Sequence, residues 1–161
     1  MKPNIGIKDQ DRQAVIKILN TLLSDEFVLY TKTRNYHWNV TGPHFHDYHK
    51  FFEAQYEELD EVIDEVAERA RALGGPASGS LAEFLKQTRL AEEDAAAVDA
   101  KGMVASLLND HEAIVRSLRK DLETCQTKHH DAGTADFLTG LMEKHEKTAW
   151  MLRATAESKG L

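Results

Sequence analysis

A single cysteine, Cys125, in 161 residues leaves no partner for an internal disulfide, and this fits a reducing compartment. Cys125 falls in helical register with Leu118 and Leu122, so buried packing is expected of it rather than reactivity. No apolar run approaches the ~20 residues of a membrane span. The opening Met1-Lys-Pro-Asn-Ile-Gly lacks the apolar core of a secretory signal, and a cytoplasmic location is expected. The chain has no phosphate-binding loop, no dinucleotide glycine motif and no zinc-type cysteine set. No stretch alternates with the two-residue period of a strand. Basic clusters are missing too. The formal charge is −7, which opposes attraction to nucleic acid or anionic membranes and suits cations as clients.

What is present reads as helix. Apolar content of 42% and charged content of 29% are ordinary for a globular protein, and the length suits one domain over 1–161. Four long amphipathic stretches run from about Asp9 to Val40, His44 to Leu73, Glu93 to Gln126, and Thr134 to Ser158. Thr41-Gly42-Pro43 separates the first two. Gly74-Gly75-Pro76 ends the second. Ser80-Leu-Ala-Glu83 has capping-box spacing, so a short helix is expected inside the longer connection that follows. Two short links and one long crossover give the connectivity of a ferritin-like four-helix bundle.

The chemistry concentrates in residues 37–68. His37, His49, Glu53, Asp64 and Glu68 are all able to bind metal. His49 and Glu53 are four residues apart, as are Asp64 and Glu68, so each pair shares one helical face. Imidazole with carboxylate is the donor set of iron and related divalent ions. Beside these positions runs an apolar stripe: Phe45, Tyr48, Phe52, Tyr56, Leu59, Ile63, Val66, Ala70 and Leu73. At ~1.5 Å per residue, Glu53 and Asp64 lie roughly 16 Å apart, and His49 and Glu68 roughly 28 Å. Ligands sit only about 2 Å from their ion. One straight helix therefore cannot wrap both pairs around one metal. Either each pair serves its own site, or the helix meets its copy antiparallel across a two-fold axis. Two-fold interfaces are self-complementary and common, which favours the second arrangement.

A di-iron site inside one bundle commonly uses two Glu-x-x-His motifs. No glutamate here is followed three residues later by histidine. The metalloprotease pattern is absent as well, since His111-Glu112 and His145-Glu146 lack a second histidine.

The run His37-Trp38-Asn39-Val40-Thr41-Gly42-Pro43-x-Phe45 is followed by His49, Glu53, Asp64 and Ala67-Glu68-Arg69-x-x-x-Leu73-Gly74-Gly75. Together with Thr134-Ala-Asp136 and Lys147-Thr-Ala-Trp150-Met-Leu-Arg153, it resembles the Dps family of mini-ferritins over nearly the whole chain. The resemblance implies a twelve-subunit shell that oxidises Fe(II), preferentially with hydrogen peroxide, and stores ferric iron. It implies ferroxidase centres at two-fold interfaces. His37, His49 and Glu53 would come from one subunit and Asp64 and Glu68 from its partner, with Glu68 the tightest ligand and a bridge between metals. Glu53 stands where many relatives carry aspartate, which bears on the second iron position.

The same resemblance makes Trp38 and Trp150 electron donors, and it places Asp131 and Asp136 at pores through which iron enters. For each tryptophan, core packing is the alternative. For Asp136, the alternative is favourable placement at a helix N-terminus. His44 and His46 exceed the minimal ligand set. They are either extra metal ligands, which would favour a shell holding zinc structurally, or solvated residues. His129 and His130 are expected in solvent. A DNA-coating role, the other alternative, needs clustered lysine and arginine. Lys2, Lys8 and Arg12 mixed with Asp9 and Asp11 do not supply it, and neither does the short end Glu157–Leu161.

Overall fold

The computed structural model describes residues 2–157, and within them the chain is helical with no strand. Helix α1 spans Asp9–Asn39, α2 Phe45–Ala72, α3 Leu81–Gln87, α4 Ala100–Glu123 and α5 Ala132–Ala156. The pairs α1–α2 and α4–α5 are hairpins closed by short links. A crossover containing α3 and a 3-10 turn at Ala95–Ala97 joins them. The bundle is therefore four long helices, with the expected connectivity. The expected end of the last helix at Ser158 lies outside the described residues.

Local chemistry sets the boundaries. Ser80 accepts from the Glu83 backbone while Glu83 reaches back to the Ser80 backbone, the reciprocal cap that the spacing predicts. Gly74, which follows α2, has φ +89, a left-handed conformation that favours glycine. A Cβ there would stand 2.5 Å from Pro3 Cγ, so the close approach of the N-terminal segment also needs a glycine.

The third long helix departs from expectation. It begins at Ala100 rather than near Glu93, because the side chain of Asp99 caps it through Gly102 N at 2.8 Å. The residues before it are held in other ways. Asp25 of α1 accepts from Thr88, from the Arg89 backbone and from the Arg89 guanidinium, with the Nε contact at 2.7 Å. Tyr36 donates to Glu93 at 2.6 Å. These contacts consume backbone and side-chain polar groups that a helix over 93–99 would have to release. At its other end the helix passes into a π-helical turn, Thr124–Lys128, which seats Cys125 fully buried. Burial pushes the Cys125 thiol up to about 12.

The core is one continuous cluster running through all four long helices and reaching Phe84 of α3. Leu19, Leu22 and Leu29 of α1 meet Phe52, Leu59, Val66, Ala70 and Leu73 of α2, with Leu107, Ile114 and Leu118 from α4 and Leu138, Leu141 and Leu152 from α5. The predicted stripe on α2 holds except at its first residue, since Phe45 is exposed at the helix start. Phe84 stacks on Phe27 with centroids 4.3 Å apart, which fastens α3 to α1. Lys32 and Asp110 form a buried ion pair at 2.6 Å that joins α1 to α4.

Candidate metal centre at the α1–α2 edge

The link between α1 and α2 is five residues long, so the last turn of α1 lies beside the first turns of α2. This brings His37 and His49 face to face. Their rings stack with centroids 3.7 Å apart. His37 Nδ1 donates to the His49 carbonyl at 2.8 Å, and His49 Nδ1 donates to the His37 carbonyl at 2.8 Å. Each imidazole therefore spends its Nδ1 proton on backbone and keeps a lone pair at Nε2. Metal-binding histidines are commonly fixed this way, with the second nitrogen hydrogen-bonded to set tautomer and ring direction.

Glu53 lies one turn beyond His49 on the same face. Lys50 Nζ approaches its Oε2 at 2.5 Å. The Lys50 hydrogen bond holds the Glu53 carboxyl below its usual range, and the nearby charges of Lys50, His37 and His49 act in the same direction. It is ionised and half-exposed, and one of its oxygens is already taken by lysine.

Asp64 and Glu68 stand exposed on the far half of α2. Among the described residues they carry no ion pair or hydrogen bond. The structure thus brings His37, His49 and Glu53 together and leaves Asp64 and Glu68 apart, as the helix-length argument requires. Among the described residues of a single chain, no group of three or more His, Cys, Asp or Glu side chains is arranged to hold a metal ion.

An aromatic group surrounds the histidine pair. Tyr56 meets the His37 ring edge-on at 5.2 Å, and Tyr30 meets Tyr56 at 6.2 Å. The Arg34 guanidinium lies 4.8 Å from the Tyr56 ring centroid and 5.3 Å from that of Trp38. Trp38 is 64% exposed and Trp150 is 61% exposed, so the core-packing alternative for both is overturned. Both sit on outward faces of their helices, and of the two Trp38 has the Arg34 guanidinium over its ring.

The remaining predicted residues divide clearly. His44 and His46 are exposed and make no hydrogen bond among the described residues. Asp131 is buried and caps α5, accepting from Thr134 N at 2.9 Å and from Arg69 at 3.2 Å. Asp136 is exposed in the first turns of α5. His130 is exposed, with φ 56. His129 corrects the expectation of solvent exposure. It is 7% exposed because Asp11 of α1 accepts from its Nδ1 at 2.9 Å.

Sequence reasoning did not find Glu26 at all, and it weighed His111 and His145 against the metalloprotease pattern without assigning them a site. In the fold these three are buried together inside the bundle. The one available signal was a histidine recurring in the core stripe of both α4 and α5.

Comparison with known proteins gives the family. Residues 16–158 match the family model described as a ferritin-like domain. The chain is 48% identical over 156 residues to a low temperature-induced protein of Nostoc sp., covering 97% of this chain and 87% of that one. It is 41% identical to DNA protection during starvation protein 2 of Bacillus anthracis, covering 87% and 94% of the two chains. Among solved structures, the Dps protein of Vibrio cholerae O1, described as a member of a broad superfamily of ferritin-like diiron-carboxylate proteins, superposes with a TM-score of 0.90. That match has 30% identity and covers 97% of each chain. The fold, the short α1–α2 link and these relatives agree: the chain belongs to the ferritin-like family and, within it, to the Dps mini-ferritins.

Proposed function

We propose that this protein stores iron in a hollow dodecamer and oxidises Fe(II) at centres shared between two subunits, with hydrogen peroxide as the preferred oxidant. The observation that carries the proposal is the reciprocal pinning of His37 and His49. Two stacked imidazoles with both Nδ1 protons committed to backbone present two Nε2 lone pairs beside the Glu53 carboxylate. The donors that would complete the set, Asp64 and Glu68, lie on the same helix at a distance only a second copy can bridge.

In this reading His37, His49 and Glu53 of one subunit face Asp64 and Glu68 of its partner, and Fe(II) enters as substrate. Anionic oxygen donors favour the ferric state as it forms. The redox step balances as 2 Fe(II) + H2O2 + 2 H2O giving 2 FeO(OH) + 4 H+: the O–O bond accepts two electrons, one from each iron. Glu68 occupies the position expected to bridge both ions. The extra methylene of Glu53, and its contact with Lys50, bear on the weaker of the two metal positions. Trp38, reached from His37 through Tyr56 and Arg34, is the nearer candidate to donate an electron when a single iron meets peroxide. Asp136, exposed on α5, suits the lining of an iron pathway better than Asp131, whose carboxylate is committed to capping.

Two alternatives lose ground. Of the N-terminal basic residues, Lys2 pairs with Asp9 at 2.5 Å, and Arg12 is buried against the Leu73 carbonyl at 2.7 Å. Lys2, Lys8 and Arg12 do not form the clustered basic patch that phosphate neutralisation needs, and with a formal charge of −7 no shift of linear DNA is expected at physiological salt. A structural zinc site built on His44 and His46 lacks support, because among the described residues neither imidazole is held by a hydrogen bond. No helix among the described residues is long and apolar enough to cross a membrane.

The deciding experiment follows iron oxidation by stopped-flow absorbance with peroxide and with oxygen, in the native protein and in Glu68→Gln. Faster oxidation by peroxide, and its loss in the variant with assembly intact, is the expected outcome. An unchanged initial rate in the variant would place oxidation elsewhere.

A further inference from the structure

Four helices each send one polar side chain into the middle of the bundle: Glu26 from α1, Gln55 from α2, His111 from α4 and His145 from α5. Their exposures are 0%, 5%, 2% and 3%. His145 Nε2 lies 2.9 Å from Glu26 Oε1, and His145 Nδ1 lies 2.9 Å from His111 Nδ1. The three ionisable groups thus run end to end in one hydrogen-bonded line. Unmatched atoms remain at both ends and alongside: Glu26 Oε2, His111 Nε2 and both polar atoms of Gln55. Native interiors seldom leave so many polar atoms without partners in one place.

A cavity of about 10 Å³ adjoins the line, bounded by Gln55, Glu58, His111, Lys144, His145 and Thr148. That volume accommodates about one water molecule. Glu58 is exposed and Lys144 half-buried, so the cavity carries the line toward the surface.

The hydrogen positions follow from the two contacts. With Glu26 ionised and both imidazoles neutral, Glu26 accepts Nε2–H of His145. His145 Nδ1 is then a lone pair and must accept Nδ1–H from His111, which leaves His111 Nε2 bare. The line carries one negative charge in the dry core, and among the described residues no lysine or arginine pairs with Glu26. An uncompensated buried charge is among the most unfavourable arrangements a core can hold. Now let one proton bind at His111 Nε2. The Nδ1 proton passes to His145, and the Nε2 proton of His145 passes to Glu26. Every group is then neutral and both hydrogen bonds survive with their directions reversed.

We infer that Glu26, His145 and His111 form a buried proton-binding site, loaded with one proton per subunit through His111 and storing it on Glu26. The cavity beside Gln55 is its mouth. A line of donors suits a proton rather than a metal ion, since its members do not converge on a common point. Burial and the neighbouring His145 hold His111 well below the usual imidazole range, so it passes a proton on instead of keeping it as imidazolium. Several charged groups on the flanking elements are paired away from the line. On α1 and α4, Asp25 pairs with Arg89, Lys32 with Asp110, and Glu112 with Arg153. On α5, Lys144 pairs with Glu65 of α2 and Glu146 with Arg119. Glu58 is the carboxylate among the residues that line the cavity. This site is independent of the iron chemistry proposed above.

Infrared spectroscopy of the native protein in heavy water at pH 7 tests the inference. Ordinary aspartate and glutamate, with reference values of ≈ 3.9 and ≈ 4.3, are ionised there and show only carboxylate bands. The expected result is a protonated-carboxyl stretch equivalent to one group per subunit, absent in Glu26→Gln and retained in Glu68→Gln. Asp110→Asn must also retain it, because burial pushes the Asp110 carboxyl up as well. No protonated carboxyl at pH 7 in the native spectrum would overturn the inference, and that reading needs no variant to fold. A band surviving in Glu26→Gln would overturn it too. A third contrary result would be cobalt(II) bound by Glu68→Gln with a ligand-field spectrum that disappears on adding His111→Gln, since that would make the cluster a metal site.

Discussion

Among the described residues two pairs of histidine rings meet, and they are wired in opposite ways. His37 and His49 stack at the α1–α2 edge, each donating its Nδ1 proton to the other's backbone carbonyl. His111 and His145 meet in the core nitrogen to nitrogen, and His145 turns its other nitrogen to Glu26. In the first pair the backbone fixes both rings and leaves both Nε2 atoms available. In the second, side chains consume three of the four ring nitrogens, and the fourth is buried beside a cavity of about 10 Å³. The same residue type thus keeps a nitrogen available at the edge and is a closed hydrogen-bond link in the interior. Which nitrogen the fold occupies decides the difference.

Breaking the interior pair should cost the most in stability. Glu26→Ala removes one partner of a buried polar pair and leaves His145 Nε2 without its hydrogen bond, at an expected cost of about 1–3 kcal/mol. Chemical denaturation measures it, and a loss under about 1 kcal/mol would mean the core line is dispensable. Replacing His37 and His49 together with glycine should reverse the pattern. Iron oxidation is expected to fall by more than about a hundredfold, beyond the 10–100-fold typical of losing even an outer partner of a metal ligand. Assembly should persist, because these rings sit at an edge and not in the core cluster.

A smaller change sharpens the edge site. Lys50 occupies one oxygen of Glu53 and holds its carboxyl below the usual range. Lys50→Met frees that oxygen and lets the carboxyl return toward its ordinary value. As pH falls, the variant should therefore lose Fe(II) binding at a higher pH than the native protein does. Near neutrality the change should stay within about fivefold, the scale of an exposed ion pair. Titration of Fe(II) binding against pH checks both statements.

Cys125 gives the least effect of all. With its thiol pushed up to about 12, only roughly one in ten thousand molecules carries the thiolate at pH 8. Native protein should resist alkylation over hours, and denatured protein should react promptly.

The contrast between the two pairs also marks what the amino-acid sequence made legible. Helical periodicity and the glycine and proline breaks located all four long helices, and Ser80 with Glu83 located the short one. The candidate residues at the edge were legible as a group because they cluster within 32 positions, and of these the fold brings His37 and His49 face to face. The interior site was not legible. Glu26, His111 and His145 are 34 and 119 residues from their partners along the chain, and a histidine within an apolar stripe looks like a core residue until the bundle closes. The start of α4 failed for a related reason, since the long-range contacts of Asp25 and Tyr36 hold residues 88–93 out of the helix. His129 was misjudged for want of Asp11, 118 residues away. Exposure of Trp38 and Trp150 was equally hidden, because helical register alone does not say which face a neighbour covers.

Complementation between two inactive proteins tests the shared centre most directly. One carries His49→Gly with Glu53→Gln, the other Asp64→Asn with Glu68→Gln. They are unfolded together, reassembled as mixed shells, and assayed for iron oxidation by peroxide. With ligands drawn from both subunits, each mixed two-fold pair restores one intact centre of its two, and activity should return to roughly a quarter of the native level, since about half the pairs are mixed in random assembly. Mixed shells, verified as mixed, that stay as inactive as their parents would contradict the intersubunit site.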